Sequence, residues 1–253
     1  MDFLVNDLTD IFSLDFLLYI LPILLIVLLP TIVSVIKGKK DLEKAIKAYA
    51  HSLDAFRNEF KNIILSEDLT TQALTIEYMF KTKEIREAVL TINLIERRTY
   101  VYYLTKIFKK MPDTAVIKVI LNNPPASALY VIPRHRKKIL SKIVGYLARL
   151  KEVSLGSINK NYVVTSDDPR TSKQYISREI LSSILRLKEN LLYLIVDYTR
   201  PNLEINFEVT EKNPDNIRDA LKLIVTLSRN LSKVKSRGKE TEALRFIRRS
   251  LQS

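Results

Sequence analysis

The sequence has no cysteine, only two histidines (His51 and His135) and only four glycines in 253 residues. Without cysteine there is no disulfide framework, no thiolate nucleophile and no cysteine-ligated metal. A histidine-based metal site would need both histidines, which lie far apart in sequence. So little glycine argues against glycine-rich phosphate loops. No Walker loop, G-x-G-x-x-G, G-x-S-x-G or H-E-x-x-H pattern occurs either. The expectation is a protein that is not an enzyme and holds no cofactor or metal.

Charge is missing in two places. Residues 16–36, FLLYILPILLIVLLPTIVSVI, contain none of either sign. At 1.5 Å per residue this run spans about 31 Å, the thickness of a bilayer's hydrocarbon core. Pro22 and Pro30 would break a soluble helix but are tolerated in a membrane helix. A buried core helix and a signal sequence are the alternatives. Cations are missing from the first 36 residues, which carry Asp2, Asp7, Asp10 and Asp15. A cleaved signal normally opens with a positive segment and has a shorter apolar core, so a membrane anchor is the preferred reading.

Beyond the apolar run the chain turns basic. Lys37, Lys39, Lys40, Lys44 and Lys47 come directly after it. The positive-inside rule then places the C-terminal side in the cytosol and the N-terminus outside. All 41 lysines and arginines lie from residue 37 onward, against 24 of the 28 carboxylates, a balance of +17. A tethered domain so basic suggests anionic lipid heads or nucleic acid as a partner.

The expected organisation is a short extracytosolic segment (1–15), a transmembrane helix (16–36), a cytosolic domain (37–231) and a basic helical tail (232–253). Leu42, Ile46, Tyr49, Leu53 and Phe56 space a helix over 40–60. Residues 71–80, 87–96, 115–122, 127–132, 161–165, 191–198 and 203–209 read as strands. The N-N-P-P after 115–122 suggests a hairpin with 127–132. Residues 99–111 read as a helix, and so do 133–150 with Pro133 near its start. In S-D-D-P, paired aspartates could bind a metal, but Asp168 as N-cap with Pro169 at N1 explains them better. That helix carries a stripe of Ile176, Ile180, Ile184 and Leu187. Asn213 is expected to cap a last long helix with Pro214 at N1, striped by Ile217, Leu221, Ile224, Leu227, Leu231 and Val234. Strands and helices do not alternate strictly, so the class is α+β: a single N-terminal membrane helix, then a basic mixed domain ending in a long helix.

The stretch 131–138, VIPRHRKK, has three readings. Arg134, Arg136, Lys137 and Lys138 are a solvated charge run, or His135 is catalytic, or the cations face a phosphate. Cations at a helix start oppose the dipole and call for an anion. No nucleophile or carboxylate orienter lies near His135 in sequence. A second basic group lies in the tail: Lys233, Lys235, Arg237, Lys239, Arg245, Arg248 and Arg249. Both groups are candidate contacts to RNA.

The order of features resembles the calumin family, the coiled-coil subunit of the PAT (protein associated with translocon) complex. The segments that carry the resemblance are VIKGKKDLEKAIKAYAHSLDAFRNEF after the apolar run, AVLTINLIERRTYVYYLTKIFKKMPD, AVIKVILNN, SALYVIPRHRKKIL and the closing LEINFEVTEKNPDNIRDALKLIVTLSRNLSKVKSRGK. The likeness covers roughly 20–240 and rests on the order of features rather than on a diagnostic motif. It implies a non-enzymatic protein beside the Sec translocon whose cytosolic part touches the ribosome. With a small membrane-protein partner, such a protein helps nascent multipass membrane proteins insert and fold. The tail would be the segment that heads toward the ribosome. The chain departs from animal members in having about fifteen residues, not a long acidic calcium-binding region, before the apolar run, so calcium binding is not implied. Its coiled coil is also shorter. The absence of cysteine and the Lys/Ile-rich composition would suit an archaeal relative in the cell membrane; a eukaryotic one would sit in the endoplasmic reticulum. The rival reading is a membrane-anchored scaffold for anionic lipid headgroups.

Overall fold

The computed structural model describes residues 14–108, 111–135, 150–198 and 200–234. They fall into two units, one drawn from 1–47 and 95–111, the other from 48–94 and 112–253. Helix α1, Leu14–Phe60, contributes to both, with Pro22 and Pro30 inside it.

The first unit holds α1 up to Lys47 and α2, Tyr100–Phe108. Gly38 is where the chain before α2 meets α1. A β-carbon there would stand 2.1 Å from the Arg97 carbonyl oxygen, so only glycine admits that approach. Arg97 is buried and its guanidinium donates to the Asp41 carbonyl at 2.9 Å. The expected helices over 16–36 and 40–60 are therefore one element, since Gly38 between them is packed rather than a break.

The second unit is built on one nine-stranded sheet with strand order β1-β2-β3-β4-β9-β8-β5-β7-β6, every pairing antiparallel. The strands are β1 Ser66–Gln72, β2 Thr75–Lys81, β3 Ile85–Asn93, β4 Asp113–Leu121, β5 Leu129–Pro133, β6 Lys151–Glu152, β7 Tyr162–Ser166, β8 Leu191–Val196 and β9 Leu203–Val209. The helices are α3 Pro169–Tyr175, α4 Arg178–Leu187 and α5 Asp215–Lys233, with 3-10 turns at Gly156–Lys160 and Lys188–Asn190. The class is α+β, as the sequence suggests.

Alternation makes the core. Ala115, Ile117 and Val119 of β4 and Leu203, Ile205, Phe207 and Val209 of β9 are fully buried on one face. Helix α5 lies on these strands and buries Ile217, Leu221, Ile224, Leu227 and Leu231 of the stripe expected for it; Val234, the last of that stripe, lies past the helix end with an extended backbone. The end of α1 adds Tyr49, Leu53 and Phe56, with the Phe56 ring 5.7 Å from that of Phe80. Every residue of β5 is buried. Its Tyr130 and Ile132 pack in a second cluster with Leu150, Tyr193, Ile195 and Tyr198.

Several expectations need correction. Strands β4 and β5 are not a hairpin, because the β8–β9 hairpin lies between them: β9 pairs with β4 and β8 with β5. The N-N-P-P stretch is a link across the sheet. Pro133 does not start a helix. It ends β5 opposite Tyr162, beyond the last β8 pairing at Val131, where a missing N–H is tolerated. The rest of the helix expected to 150 lies, over 136–149, outside the described residues. Asp168 does cap α3, accepting from the N–H groups of Arg170 and Thr171, with Pro169 at its start. That helix stops early, however: Ile176 is extended and Ser177 caps a new helix, α4. Asn230 of α5 donates to the Tyr175 carbonyl at 2.9 Å and so satisfies the break. Asn213 does not cap α5, since its amide turns to the Asn216 side chain and Pro214 holds the cap position. The strand expected over 71–80 is divided by a turn at 73–74, and its first two residues end a separate strand, β1, whose remainder was not expected. Its SEDLTTQ is polar and mostly exposed because it is an edge strand paired only with β2. Glu67 helps to anchor it, accepting from Tyr78 at 2.6 Å and Arg57 at 2.8 Å.

Candidate functional site

Three features of the described residues could carry chemistry or binding. The first is the apolar part of α1. One described helix, within Ile20–Phe60, is long and apolar enough to cross a membrane. Leu24, Leu25 and Ile26 are consecutive, so they point about 100° apart around the axis. They are 46%, 47% and 71% exposed. Apolar side chains therefore face outward all round, which a soluble core helix does not do. The cationic end of this stretch meets α2. The Lys37 ammonium lies 5.4 Å from the ring centroid of Tyr103, and Lys106 the same distance from that of Tyr102. The Tyr103 hydroxyl donates to Asp41 at 3.2 Å. Burial, with Asp41 beside it, pushes that phenol up to about 12. Val101 and Leu104 of α2 are exposed.

The second feature is a cavity of about 450 Å³ where β5 ends, lined by Pro133, Arg134, His135, Lys160, Asn161, Tyr162, Leu185, Lys188 and Glu189. Three separate pieces of chain build it. Arg134 follows β5, and its backbone N–H donates to the Asn161 carbonyl at 2.9 Å. Its Nε donates to the Asn159 carbonyl at 2.9 Å, and its guanidinium stands 3.5 Å from Glu152. Lys160 precedes β7. Lys188 ends α4 at φ +42°, a left-handed region unfavourable for a side chain. The Tyr162 hydroxyl holds this turn, donating to the Lys188 carbonyl at 3.0 Å. Burial pushes the Tyr162 phenol up to about 12.

The third feature is a buried polar network. The hydroxyls of Ser127, Ser166 and Ser172 lie 2.6–3.0 Å from one another. Asp167 accepts from the Ser127 and Ser166 hydroxyls, from the Ala128 and Asp168 amides and from the Tyr198 hydroxyl. A serine beside an aspartate suggests a nucleophile, but activation needs a base on the serine oxygen. Among the described residues no histidine or lysine bonds these serines; the contacts are hydroxyls, carboxylates and backbone groups. The network ties the start of β5 to the end of β7 and the start of α3.

Of the expected site residues, Arg134 lies in the cavity, while Lys233 is the exposed last residue of α5 and takes no part in it. Arg136, Lys137, Lys138, Lys235, Arg237, Lys239, Arg245, Arg248 and Arg249 lie outside the described residues. Lys160 and Lys188 join Arg134 through the fold, and sequence reasoning missed both. Lys160 ends the short 3-10 turn before β7, where no periodic pattern marks it. Lys188 directly follows the α4 stripe, the one local hint that it ends a helix.

No family model matches the sequence, and no curated protein matches it. Among solved structures, the crystal structure of the mycobacterial trehalose monomycolate transport factor A, TtfA, aligns with a TM-score of 0.31 and 8% identity over 66% of this chain and 72% of that one. A likeness at that level carries no argument about fold or function.

Proposed function

We propose that this chain is a membrane-anchored docking protein of the calumin type, a translocon-associated subunit and not an enzyme. In this reading the apolar part of α1 spans the membrane and everything from Lys37 onward is cytosolic. The basic domain meets ribosomal RNA beside the Sec translocon. A small membrane partner joins it there while nascent multipass proteins insert and fold. The observation that carries the reading is the outward-facing apolar surface of α1 before Lys37, with all 41 cations on one side of it. The polar networks support it in a lesser way, since their geometry suits packing better than bond-breaking chemistry.

The rival reading is a scaffold on anionic lipid, and one observation favours it. Helix α2 exposes Val101 and Leu104, and its Tyr103 and Tyr102 rings lie under Lys37 of α1 and its own Lys106, next to the end of the apolar stretch. Aromatic and cationic side chains of this kind suit a headgroup layer.

Co-sedimentation of the full chain in neutral detergent with ribosomes, over a range of salt, tests the reading. Binding should fall steeply with salt, by roughly 0.7–0.9 log units of affinity per log unit of salt for each phosphate neutralised. Removing Arg134, Arg136, Lys137 and Lys138 should lower that slope. Binding to anionic vesicles with none to ribosomes would transfer the assignment to the lipid scaffold.

A further inference from the structure

We propose that the cavity at the end of β5 binds a phosphomonoester, a small molecule with a terminal phosphate dianion. The inference goes beyond ribosome docking and stands without it.

Charge is the first ground. Arg134, Lys160 and Lys188 border one cavity from three separate chain segments, with His135 as a further N–H donor and Glu189 as the one lining carboxylate among the described residues. Arg134 is partly engaged by Asn159 and Glu152. Lys160 and Lys188 make no ion pair among the described residues. Like charges gathered around a shared cavity repel one another unless an anion enters. A phosphomonoester carries about −1.5 to −2 at neutral pH and three acceptor oxygens, enough to engage several such donors at once.

Shape is the second ground. A volume of about 450 Å³ exceeds what a phosphate group fills and lies in the ordinary range for small-ligand sites. Pro133, Tyr162 and Leu185 supply an apolar wall for an organic body. The third ground is Lys188 itself. Its left-handed backbone is one that glycine would adopt without cost, yet a lysine stands there, held by the Tyr162 hydroxyl. A strained residue kept at a cavity wall points to a role for its side chain.

The same chemistry could come from a soluble mononucleotide or from a phosphatidic-acid headgroup. The test uses the full chain in neutral detergent. AMP, inorganic phosphate and adenosine are titrated calorimetrically. Vesicle flotation compares phosphatidic acid with phosphatidylglycerol, a diester. Saturable binding of AMP at one site per chain, competed by phosphate and absent for adenosine, is expected. The double substitution Lys160→Gln, Lys188→Gln should weaken it about tenfold or more, as loss of charge-assisted hydrogen bonds implies. Lys160→Arg with Lys188→Arg should retain it at an unchanged unfolding temperature. Binding of phosphate and phosphatidic acid without AMP would identify the source as lipid. No saturable binding of any of these phosphates, or binding indifferent to the Gln pair, would overturn the proposal. The Gln pair keeps Arg134 and the tail, so its ribosome co-sedimentation separates this site from the docking surface.

Discussion

Gly38 and Arg97 are in backbone contact: a β-carbon on Gly38 would meet the Arg97 carbonyl oxygen at 2.1 Å, its carbon at 2.5 Å and the Arg98 Cα at 2.7 Å. All three are main-chain atoms, so no side chain can swing away. In an exposed helix interior Gly→Ala stabilises by about 1 kcal/mol. At Gly38 the sign should reverse. Gly38→Ala is expected to lower the unfolding temperature of the full chain in detergent and to open 95–111 to protease. A higher unfolding temperature would mean that α2 does not rest on α1 as described.

Asp168 accepts from the Arg170 and Thr171 amides and from the Thr171 hydroxyl, the last at 2.6 Å. Asp168→Ala should destabilise by about 1 kcal/mol. The Thr171 hydroxyl, more than any other group, holds this carboxyl below its usual range. A depressed value means the contribution is present above the ordinary aspartate pKa, about 3.9, and is lost as pH falls through the folded value. The gap in unfolding temperature between wild type and Asp168→Ala should therefore narrow in acid. A gap constant down to about pH 2 would contradict the cap.

Tyr162 titrates at the other extreme. Its raised phenol contributes stability in full below the ordinary tyrosine pKa, about 10, and loses it as pH climbs through about 12. Alkaline titration should show a late group of tyrosinates appearing together with unfolding. Tyr162→Phe removes the donor to the Lys188 carbonyl and should cost about 1 kcal/mol. An unchanged stability would show that the strained turn does not depend on that hydroxyl.

Asp167 serves five donors from three segments. Asp167→Ala leaves buried hydroxyls and amides short of an acceptor, at about 1–3 kcal/mol for each group left unsatisfied. The expected result is a large loss of stability, with AMP binding retained wherever the chain is still folded. Loss of binding at unchanged stability would make Asp167 part of a site rather than a structural tie.

Much of the fold was legible because it is periodic. The stripe on α5 and the alternation in β4 and β9 repeat every few residues, and burial follows them. The Asp168–Pro169 helix start was equally local. What stayed hidden was non-local or polar. Nothing near 115–132 could announce that β8 and β9, some seventy residues on, would separate β4 from β5. Strand β1 has no apolar alternation because it has no buried face. For the same reason the cavity was visible only in its Arg134 corner. Lys160 and Lys188 are ordinary surface lysines in the sequence and become a charged wall only when β5, β7 and α4 come together.

The docking account stands on sidedness, because RNA on the ribosome can meet the basic domain only in the cytosol. The chain has no cysteine, so single cysteines can be placed without background. One replaces Asp7, before the apolar run; another replaces Leu65, which is 72% exposed in the second unit. Intact cells producing each variant are treated with a membrane-impermeant maleimide, before and after permeabilisation. The account predicts labelling at position 7 in intact cells and at position 65 only after permeabilisation. Labelling at position 65 in intact cells would put the basic domain outside and contradict the account.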